Sequence, residues 1–341
     1  MTSVLGIEPV WTALDEDAKR YKGFIESWTV NVVDPKDGRS LWIRLNLLSS
    51  TNGFRKVCEA WVIASHRKAT KEVSKIAMKQ GFDLSQFKSN GTQVQVGSCE
   101  LGPGFCKGSV LSKGRQIQWN LNWKTRQNAA FNFVPAPLGK LGLVSQQWGS
   151  PESDLEVQGS SSLDGEEVQW KTAHGSLSHR CGFQEWNSWV RCHSNSFTTE
   201  KGEPVDTVFE GFSGRIALPV GLPGPRIHSA CLIYQGKRYE FNSIWESLRM
   251  RSQSTANRWN FEVERDDLRF RGEAIAENRD FAGITYEDTD GSLLYGSHSK
   301  LANLTLWIYR RGKLEQTLVS NGTASLEIVD RSRNPYVQFG F

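Results

Sequence analysis

The stretch that decides the fold runs from Ala173 to Phe197 and reads AHGSLSHRCGFQEWNSWVRCHSNSF. It holds three of the six histidines, two of the thirteen tryptophans and two of the six cysteines. Successive side chains of an extended strand point to opposite faces, so Trp189, Arg191 and His193 share one face, on which we also place Phe197. This aromatic and polar face predicts a β-strand that forms a cavity wall or a buried corner.

Short apolar runs separated by turn residues recur along the rest of the chain. Phe24 to Val33, Leu41 to Leu48 and Leu304 to Arg310 are such runs, rich in Val, Ile, Trp, Phe and Thr. Asn-Gly, Asp-Gly and Lys-Gly pairs stand between them, for example Asn52-Gly53. Evenly spaced strands with these turns predict an all-β protein built from antiparallel barrels or sandwiches, with few short helices.

The length of 341 residues exceeds one compact core and predicts two domains. Two segments are candidate linkers, residues 198–204 and the Pro- and Gly-rich residues 219–225, whose prolines cannot donate to a central strand. We place the division near residue 204, with an N-terminal β domain of residues 1–204 and a C-terminal β domain of residues 205–341.

Composition excludes several classes of function. The formal charge is only +4 and no long Lys/Arg run is present, so we expect no nucleic-acid binding. The N-terminus lacks the features of a signal peptide, and no apolar stretch is long enough for a membrane span. Six cysteines without a signal peptide indicate reduced thiols and a cytoplasmic protein. The oligomeric state and peripheral contact with a membrane stay open.

One segment has helical character. Residues 68–80 lack Gly and Pro, and four lysines recur there at helical spacing opposite a thin apolar stripe. The pattern predicts a solvated helix that covers one end of a barrel, because the stripe is too small for stable membrane binding.

Three further strands each place a tryptophan two positions from a charged side chain on one face. The pairs are Glu26 with Trp28, Trp42 with Arg44, and Glu59 with Trp61. If the first hairpin closes symmetrically about residues 34–38, Trp28 faces Arg44 in a cation–π contact worth about 0.5–2 kcal/mol. Two interpretations remain: the face lines a ligand cavity, or it meets solvent or the second domain.

Catalytic motifs are few. The candidate metal ligands His174, His179, Cys181, Cys192 and His193 lack the close pairs typical of zinc, and adjacent strand residues point to opposite faces. We therefore predict no metal site. No nucleophile elbow and no phosphate-binding loop are present.

A carboxylic acid in an apolar pocket is the one catalytic device that the residues suggest. Burial would keep the acid protonated near neutral pH, so that it could protonate an alkene or a carbonyl. Glu26 and Glu59 are the candidates. The alternative is a carboxylate paired with Arg44 or another base.

With these residues in view, the chain resembles the lipocalin-like AttH family, which groups with carotenoid hydratase and tocopherol cyclase among the calycin-like β-barrels. The segments that carry the resemblance are Glu26-Ser27-Trp28, Leu41–Arg44, Glu59-Ala60-Trp61, Ile117–Leu121, Trp189–Phe197, Tyr286–Gly291 and Ala324–Glu327. The family's His-Asn-Trp-Gly-type turn is replaced here by Ala173–His179, although His179 and His193 match its pattern. This departure leaves inheritance of a hydratase or cyclase activity open.

The resemblance implies two lipocalin-like β domains with ligand space in or between them. Our leading hypothesis is a cytoplasmic binding protein, without metal or cofactor, for an apolar lipid- or isoprenoid-like molecule. The alternatives are a hydratase, cyclase or isomerase acting by general acid catalysis, and a structural protein. The candidate ligand-binding residues are Trp28, Trp42, Arg44, Trp61, Trp186, Trp189 and Arg191, and the candidate catalytic residues are Glu26, Glu59, His179 and His193.

Overall fold

A computed structural model describes residues 6, 8–10, 23–140, 143–217 and 223–340. Within this part of the chain, the fold consists of two antiparallel sheets of twelve strands each and two short α-helices. The predicted all-β, two-domain lipocalin-like architecture is confirmed. None of the helices in the described ranges is long and apolar enough to cross a membrane.

The first sheet is built from the N-terminal half. Its strands are β1 (Phe24–Asp34), β2 (Arg39–Ser49), β3 (Lys56–Arg67), β4 (Val73–Asp83), β5 (Phe87–Ser89), β6 (Val94–Val96), β7 (Cys99–Gly102), β8 (Phe105–Ser112), β9 (Arg115–Thr125), β10 (Phe131–Asn132), β11 (Gln146–Leu163) and β12 (Glu166–Gly182). The order β4-β3-β2-β1-β12-β11-β9-β8-β7-β6-β5 curls until β4 approaches β8. Its inner face packs Trp28, Leu45, Val62 and Trp119 into an apolar core.

The second sheet repeats this plan. Its strands are β13 (Ser188–Ser194), β14 (Phe197–Thr199), β15 (Pro204–Val205), β16 (Thr207–Ala217), β17 (Pro223–Tyr234), β18 (Lys237–Phe241), β19 (Arg251–Ser254), β20 (Arg258–Arg265), β21 (Leu268–Ile275), β22 (Ala282–Glu287), β23 (Leu293–Arg310) and β24 (Lys313–Asp330). The main order is β18-β17-β16-β13-β24-β23-β21-β20-β19. Phe209, Trp259, Phe261 and Phe270 fill its inner face. The helices are α1 (Ala136–Lys140) and α2 (Ile244–Arg249), with 3-10 turns at Leu84–Gln86 and Asn278–Asp280.

The chain changes sheet between Gly182, the last residue of β12, and Ser188, the first residue of β13. β13 and β14 therefore pair within the second sheet although they precede residue 204. The division near residue 204 concerns independent folding units, which sheet membership does not test, and it stays a prediction.

The expected register of the first hairpin is wrong by one residue. Trp28 pairs with Leu45, and Arg44 pairs with Thr29. The loop has four residues, Pro35–Gly38, because the Asp34 carboxylate accepts the backbone N–H groups of Lys36 and Asp37 and draws Asp34 into the strand. A shift of one residue moves a side chain to the other face, so Trp28 points into the barrel and Arg44 points away from it.

The helix expected over residues 68–80 is also wrong. A turn at Lys68–Glu72, with Lys71 at a φ of +66°, joins β3 to β4 in a hairpin. The lysine spacing arises because two lysines lie at the turn while Lys75 and Lys79 share one face of β4. Met78 and its alternate neighbours pack against the barrel core instead.

Phe197 does not share a face with Trp189, because the strand ends at Ser194 and a bend separates it from β14. Phe197 instead packs in the core of the second barrel, together with Val190 and Cys192.

Gly159 provides a test of the barrel geometry. It lies at a bulge of β11 with a φ of +136°, and a Cβ there would stand 2.1 Å from the Asn120 carbonyl oxygen. We expect Gly159→Ala to lower the free energy of unfolding by about 2–4 kcal/mol, because the strained φ and the clash of the new Cβ with the backbone both destabilise the folded state. Gly114→Ala, at a φ of +76° in open space, should cost about 1 kcal/mol. Equal losses in denaturant unfolding of the two variants would refute this account.

Candidate functional site

The outward faces of the two sheets meet and bury a layer that we call the seam. Its apolar part is one continuous cluster that receives Trp42, Trp61 and Trp148 from the first sheet and Trp189 and Tyr286 from the second. Because side chains alternate along a strand, the strands that cross the contact between the sheets, such as β2, β3 and β13, fill a barrel with one face and present the other to the seam. The predicted aromatic and polar face of β2, β3 and β13 therefore meets the opposite sheet.

Four cationic side chains lie in the seam beside these tryptophans. Arg44, Arg180, Arg191 and Lys300 are each at most 5% exposed. Arg44 and Arg191 each lie two positions after a tryptophan on the same strand, and Arg180 pairs with Trp148 on the neighbouring strand. Arg44 pairs across the sheet with Trp61, and its guanidinium carbon lies 4.9 Å from that ring centroid.

Three buried carboxylates balance these cations in part. Glu185, in the connection between the sheets, accepts a 2.6 Å hydrogen bond from Arg180 and lies 3.9 Å from Arg44. Glu210 lies 3.3 Å from Arg191, and Glu327 lies 3.7 Å from both Arg191 and Lys300.

The balance leaves one positive charge in excess, because Arg44 and Arg180 share Glu185. Glu59 does not offset them, since it lies at the rim with cations of its own, Lys79 at 3.4 Å and Arg55 at 3.6 Å. Burial, followed by the neighbouring Arg180, lowers the pKa of Arg44 to about 10. The most strongly positive part of the seam is thus the region around these two arginines.

Several buried N–H groups in the seam have no hydrogen-bond partner among the described residues. They are the indole nitrogens of Trp42, Trp186 and Trp189 and one guanidinium nitrogen each of Arg44 (Nε), Arg180 (Nη1) and Arg191 (Nε). A buried donor without an acceptor costs about 1–3 kcal/mol, so their concentration in one layer calls for an explanation. One acceptor beside Glu185, Gln146 Oε1, also lacks a partner, but the six N–H groups outnumber it, which fits a bound molecule that carries acceptor oxygens.

Tyr286 stands at the centre of the positive region. Its ring lies 4.8 Å from the Arg44 guanidinium carbon and 5.4 Å from that of Arg180. Its hydroxyl lies 2.8 Å from His298 Nε2. Burial raises the pKa of Tyr286, and burial together with the charge of Lys300 lowers that of His298. Both groups are therefore neutral near pH 7.

Glu327 completes this arrangement. It pairs with His298 across β23 and β24, and its Oε2 lies 3.9 Å from His298 Nδ1. Lys300, His298 and Arg191 outweigh the effect of burial and lower the pKa of Glu327 to about 2. Burial lowers the pKa of Lys300 to about 8.

The predicted catalytic residue His193 lies in the seam but bridges the domains. Its Nε2 lies 2.9 Å from the Ser153 carbonyl oxygen, to which it donates, and Nδ1 lies 3.4 Å from the Ser176 hydroxyl. Burial lowers its pKa, so it is a neutral contact between β13 and β11. Cys192, its neighbour, points into the second barrel, as the alternation predicted.

Glu26, Trp28 and His179 form a separate group at one end of the first barrel. His179 stacks on Trp28 with 5.2 Å between the ring centroids and places Nε2 2.8 Å from Glu26 Oε1. The carbonyl of Gly6 lies 2.8 Å from His179 Nδ1, and Val10 N–H donates to Glu26. The structure thus divides the predicted site residues into two places, and neither Glu26 nor Glu59 is an isolated acid in an apolar pocket.

A cavity of about 350 Å³ opens at the other end of the first barrel. Apolar side chains such as Leu41 and Trp170 line it, and Arg39, His66 and Glu166 lie among its polar residues. The sequence did not predict this site.

Sequence reasoning missed Tyr286, His298, Lys300 and Glu327. The signal was present, because His298 and Lys300 lie two positions apart on one strand, as Trp42 and Arg44 do.

Several solved protein structures have a fold similar to that of this chain. No family model matches the chain, and no curated protein sequence matches it. Among solved structures, an AttH candidate from Nitrosomonas europaea matches with a TM-score of 0.51 and 13% identity, over 96% of this chain and 99% of that one. Kievitone hydratase from Nectria haematococca matches with a TM-score of 0.51 and 10% identity, over 93% and 92%. CghA solved with Sch210972 matches with a TM-score of 0.57 and 10% identity, over 91% and 89%.

These similarities define the class as two-domain, all-β lipocalin-like proteins. Within that class the chain has the AttH-like fold, which confirms the predicted resemblance at the level of the fold.

The Glu327 carboxylate gives a pH-dependent prediction. Its folded pKa of about 2 lies below the ordinary 4.5, so its contribution to stability is complete above about pH 4.5 and is lost as the pH falls toward 2. We expect Glu327→Gln to lower the free energy of unfolding by about 3–5 kcal/mol at pH 7, because Lys300 and Arg191 lose a buried partner. Denaturant unfolding at pH 5, 4 and 3 should show this difference shrinking.

The exposed Glu166 serves as the control, and Glu166→Gln should stay within about 0.5 kcal/mol of the wild type at every pH. A Glu327→Gln difference that is constant from pH 5 to 3 would contradict the low pKa of Glu327.

Proposed function

We propose that this protein binds a small, mainly apolar organic molecule in the seam, with an anionic or strongly accepting oxygen held near Arg44 and Arg180. The observation that carries the proposal is the excess of buried cations and unpartnered N–H donors in a layer walled by tryptophans. Apolar walls with a few convergent polar groups are typical of small-molecule sites.

Electrostatics favours this interpretation over a purely structural seam. A buried ion pair contributes little to the stability of a fold. Two buried cations that share one carboxylate leave a positive charge uncompensated, which destabilises the folded state. Two guanidinium groups around one carboxylate, Glu185, would be a poor choice for stability alone. An anionic oxygen at this point would supply the missing charge and accept the unpartnered N–H groups.

The two other places suit a ligand less well. The interiors of both barrels are filled by continuous apolar cores, and the four buried cations lie outside them. The cavity at the barrel mouth mixes Arg39, His66 and Lys75 with Glu166 and Glu167, so no single ligand charge is favoured there. It is the main competing site.

The comparisons support small-molecule chemistry on this fold in other proteins. One similar structure is a kievitone hydratase, and another was solved with Sch210972. For this chain, a cytoplasmic location fits the six cysteines, which are all free and buried.

Native mass spectrometry of the protein purified from its own host tests the proposal. Arg44 and Arg39 lie on opposite faces of β2, one in the seam and the other at the barrel mouth. We expect a bound apolar mass in the wild type and in Arg39→Met, and its loss in Arg44→Met. Because Arg44 is poorly paired and desolvated, Arg44→Met should change the free energy of unfolding by about 1 kcal/mol or less.

Loss of the mass in Arg39→Met alone would assign the ligand to the barrel mouth. A wild type without any bound mass, or a mass retained in both variants, would contradict the proposal.

A further inference from the structure

We propose that Tyr286 and His298 act as a proton-transfer pair on an enolisable carbonyl compound bound in the seam. This inference rests on the proposed function and names its substrate class. Tyr286 would be the group that touches the substrate, and His298 a positioning and proton-storing residue behind it. The geometry that points to this pair is a 2.8 Å contact between two fully buried, neutral groups at the most positive point of the seam.

The charged groups around His298 fix the direction of this hydrogen bond. Glu327 lies 3.9 Å from Nδ1, whereas burial, followed by the cations Lys300, Arg44 and Arg180, lowers the pKa of His298 and keeps the ring neutral. A neutral imidazole carries one N–H, and it is most favourable on the nitrogen that faces the carboxylate. Nε2 is then the acceptor, and the Tyr286 hydroxyl donates to it.

The backbone makes room for the pair at Gly296. A Cβ at this position would stand 2.7 Å from the Tyr286 ring and 2.8 Å from His298 Nε2. Gly296 lies on β23 two residues before His298, and it pairs with Ile284 on β22, the strand that carries Tyr286. Any larger residue would force the two side chains apart.

The proton balance of the reaction is simple. The Tyr286 oxygen takes a proton from a carbon next to the substrate carbonyl while its own proton passes to His298 Nε2. The electrons of the broken C–H bond move toward the carbonyl oxygen and form an enolate, which faces the unpartnered N–H groups of Arg44 and Arg180. The imidazolium that forms is opposed by burial and by Lys300, Arg44 and Arg180, and the Glu327 carboxylate 3.9 Å from Nδ1 is the group that stabilises it. Return of the proton to another carbon gives an isomer, and no further reactant is needed.

The experiment uses 2-tetralone, an apolar bicyclic ketone with acidic C–H groups, and 2-naphthol, which has the shape of its enol. Proton NMR in D₂O measures exchange of the 2-tetralone α-hydrogens, and quenching of tryptophan fluorescence measures binding of 2-naphthol. We expect the wild type to accelerate exchange over buffer. Tyr286→Phe should lower that rate at least about 100-fold while keeping the affinity for 2-naphthol within a few-fold, because the ring stays in place.

Two further variants separate the pair from general effects. His298→Gln should lower the exchange rate to a similar extent. Tyr295→Phe is the matched control, since Tyr295 lies on β23 and packs against Phe339 outside the seam, and it should keep the wild-type rate.

Nitrogen-15 NMR of labelled histidine adds a readout that needs no ligand. The signal lost in His298→Gln should show Nδ1 protonated and Nε2 unprotonated, and it should shift in Tyr286→Phe. Protonation on Nε2 instead would overturn the proton path.

The outcomes distinguish the two proposals. Binding of 2-naphthol without exchange in the wild type, or equal exchange in Tyr286→Phe, overturns the proton-transfer pair and leaves the seam as a binding site. Failure to bind 2-naphthol contradicts the seam as a site for molecules of this class, and with it the proton-transfer pair.

Discussion

Removing four cationic side chains from water between two β-sheets is unfavourable, and much of this architecture follows from how they are accommodated. Each barrel keeps its inner face apolar, so the period of two along every strand sends the charges outward. Each sheet covers the cations of the other; the second sheet supplies Glu210 and Glu327, and the connection between the sheets supplies Glu185. The domains are therefore joined by an electrostatic layer as much as by an apolar one.

The same layer explains why aromatic rings surround the guanidinium groups. Arg180 contacts three rings at 5.1–5.4 Å, those of Trp148, Trp189 and Tyr286. Rings offset part of the lost hydration without neutralising the charge, whereas carboxylates neutralise it. A seam that mixes the two can keep a cation buried and still attractive to an incoming anion. Lys300, at 5.1 Å from the Trp42 ring, follows the same rule.

Local patterns predicted the strand class and the faces of β2, β3 and β13 correctly, because alternation is a property of the chain itself. They failed where a few residues decide a register or a turn, as at Asp34 in the first hairpin and at Lys71 before β4. Contacts such as the hydrogen bond between Tyr286 and His298 join two different strands, so they can be identified only once the strand pairing is known. The separation of Glu26 and His179 from the seam likewise depends on which face of β1 turns inward.

The connection between β12 and β13 limits how the two halves of this protein can be recombined during evolution. Glu185 and Trp186 lie within it and are buried in the seam, so the tether between the halves is also part of the wall between them. Lengthening or exchanging it would remove a carboxylate from two arginines at once. Neither half can then be recombined freely with a foreign partner, and the two should be inherited and should vary as one unit.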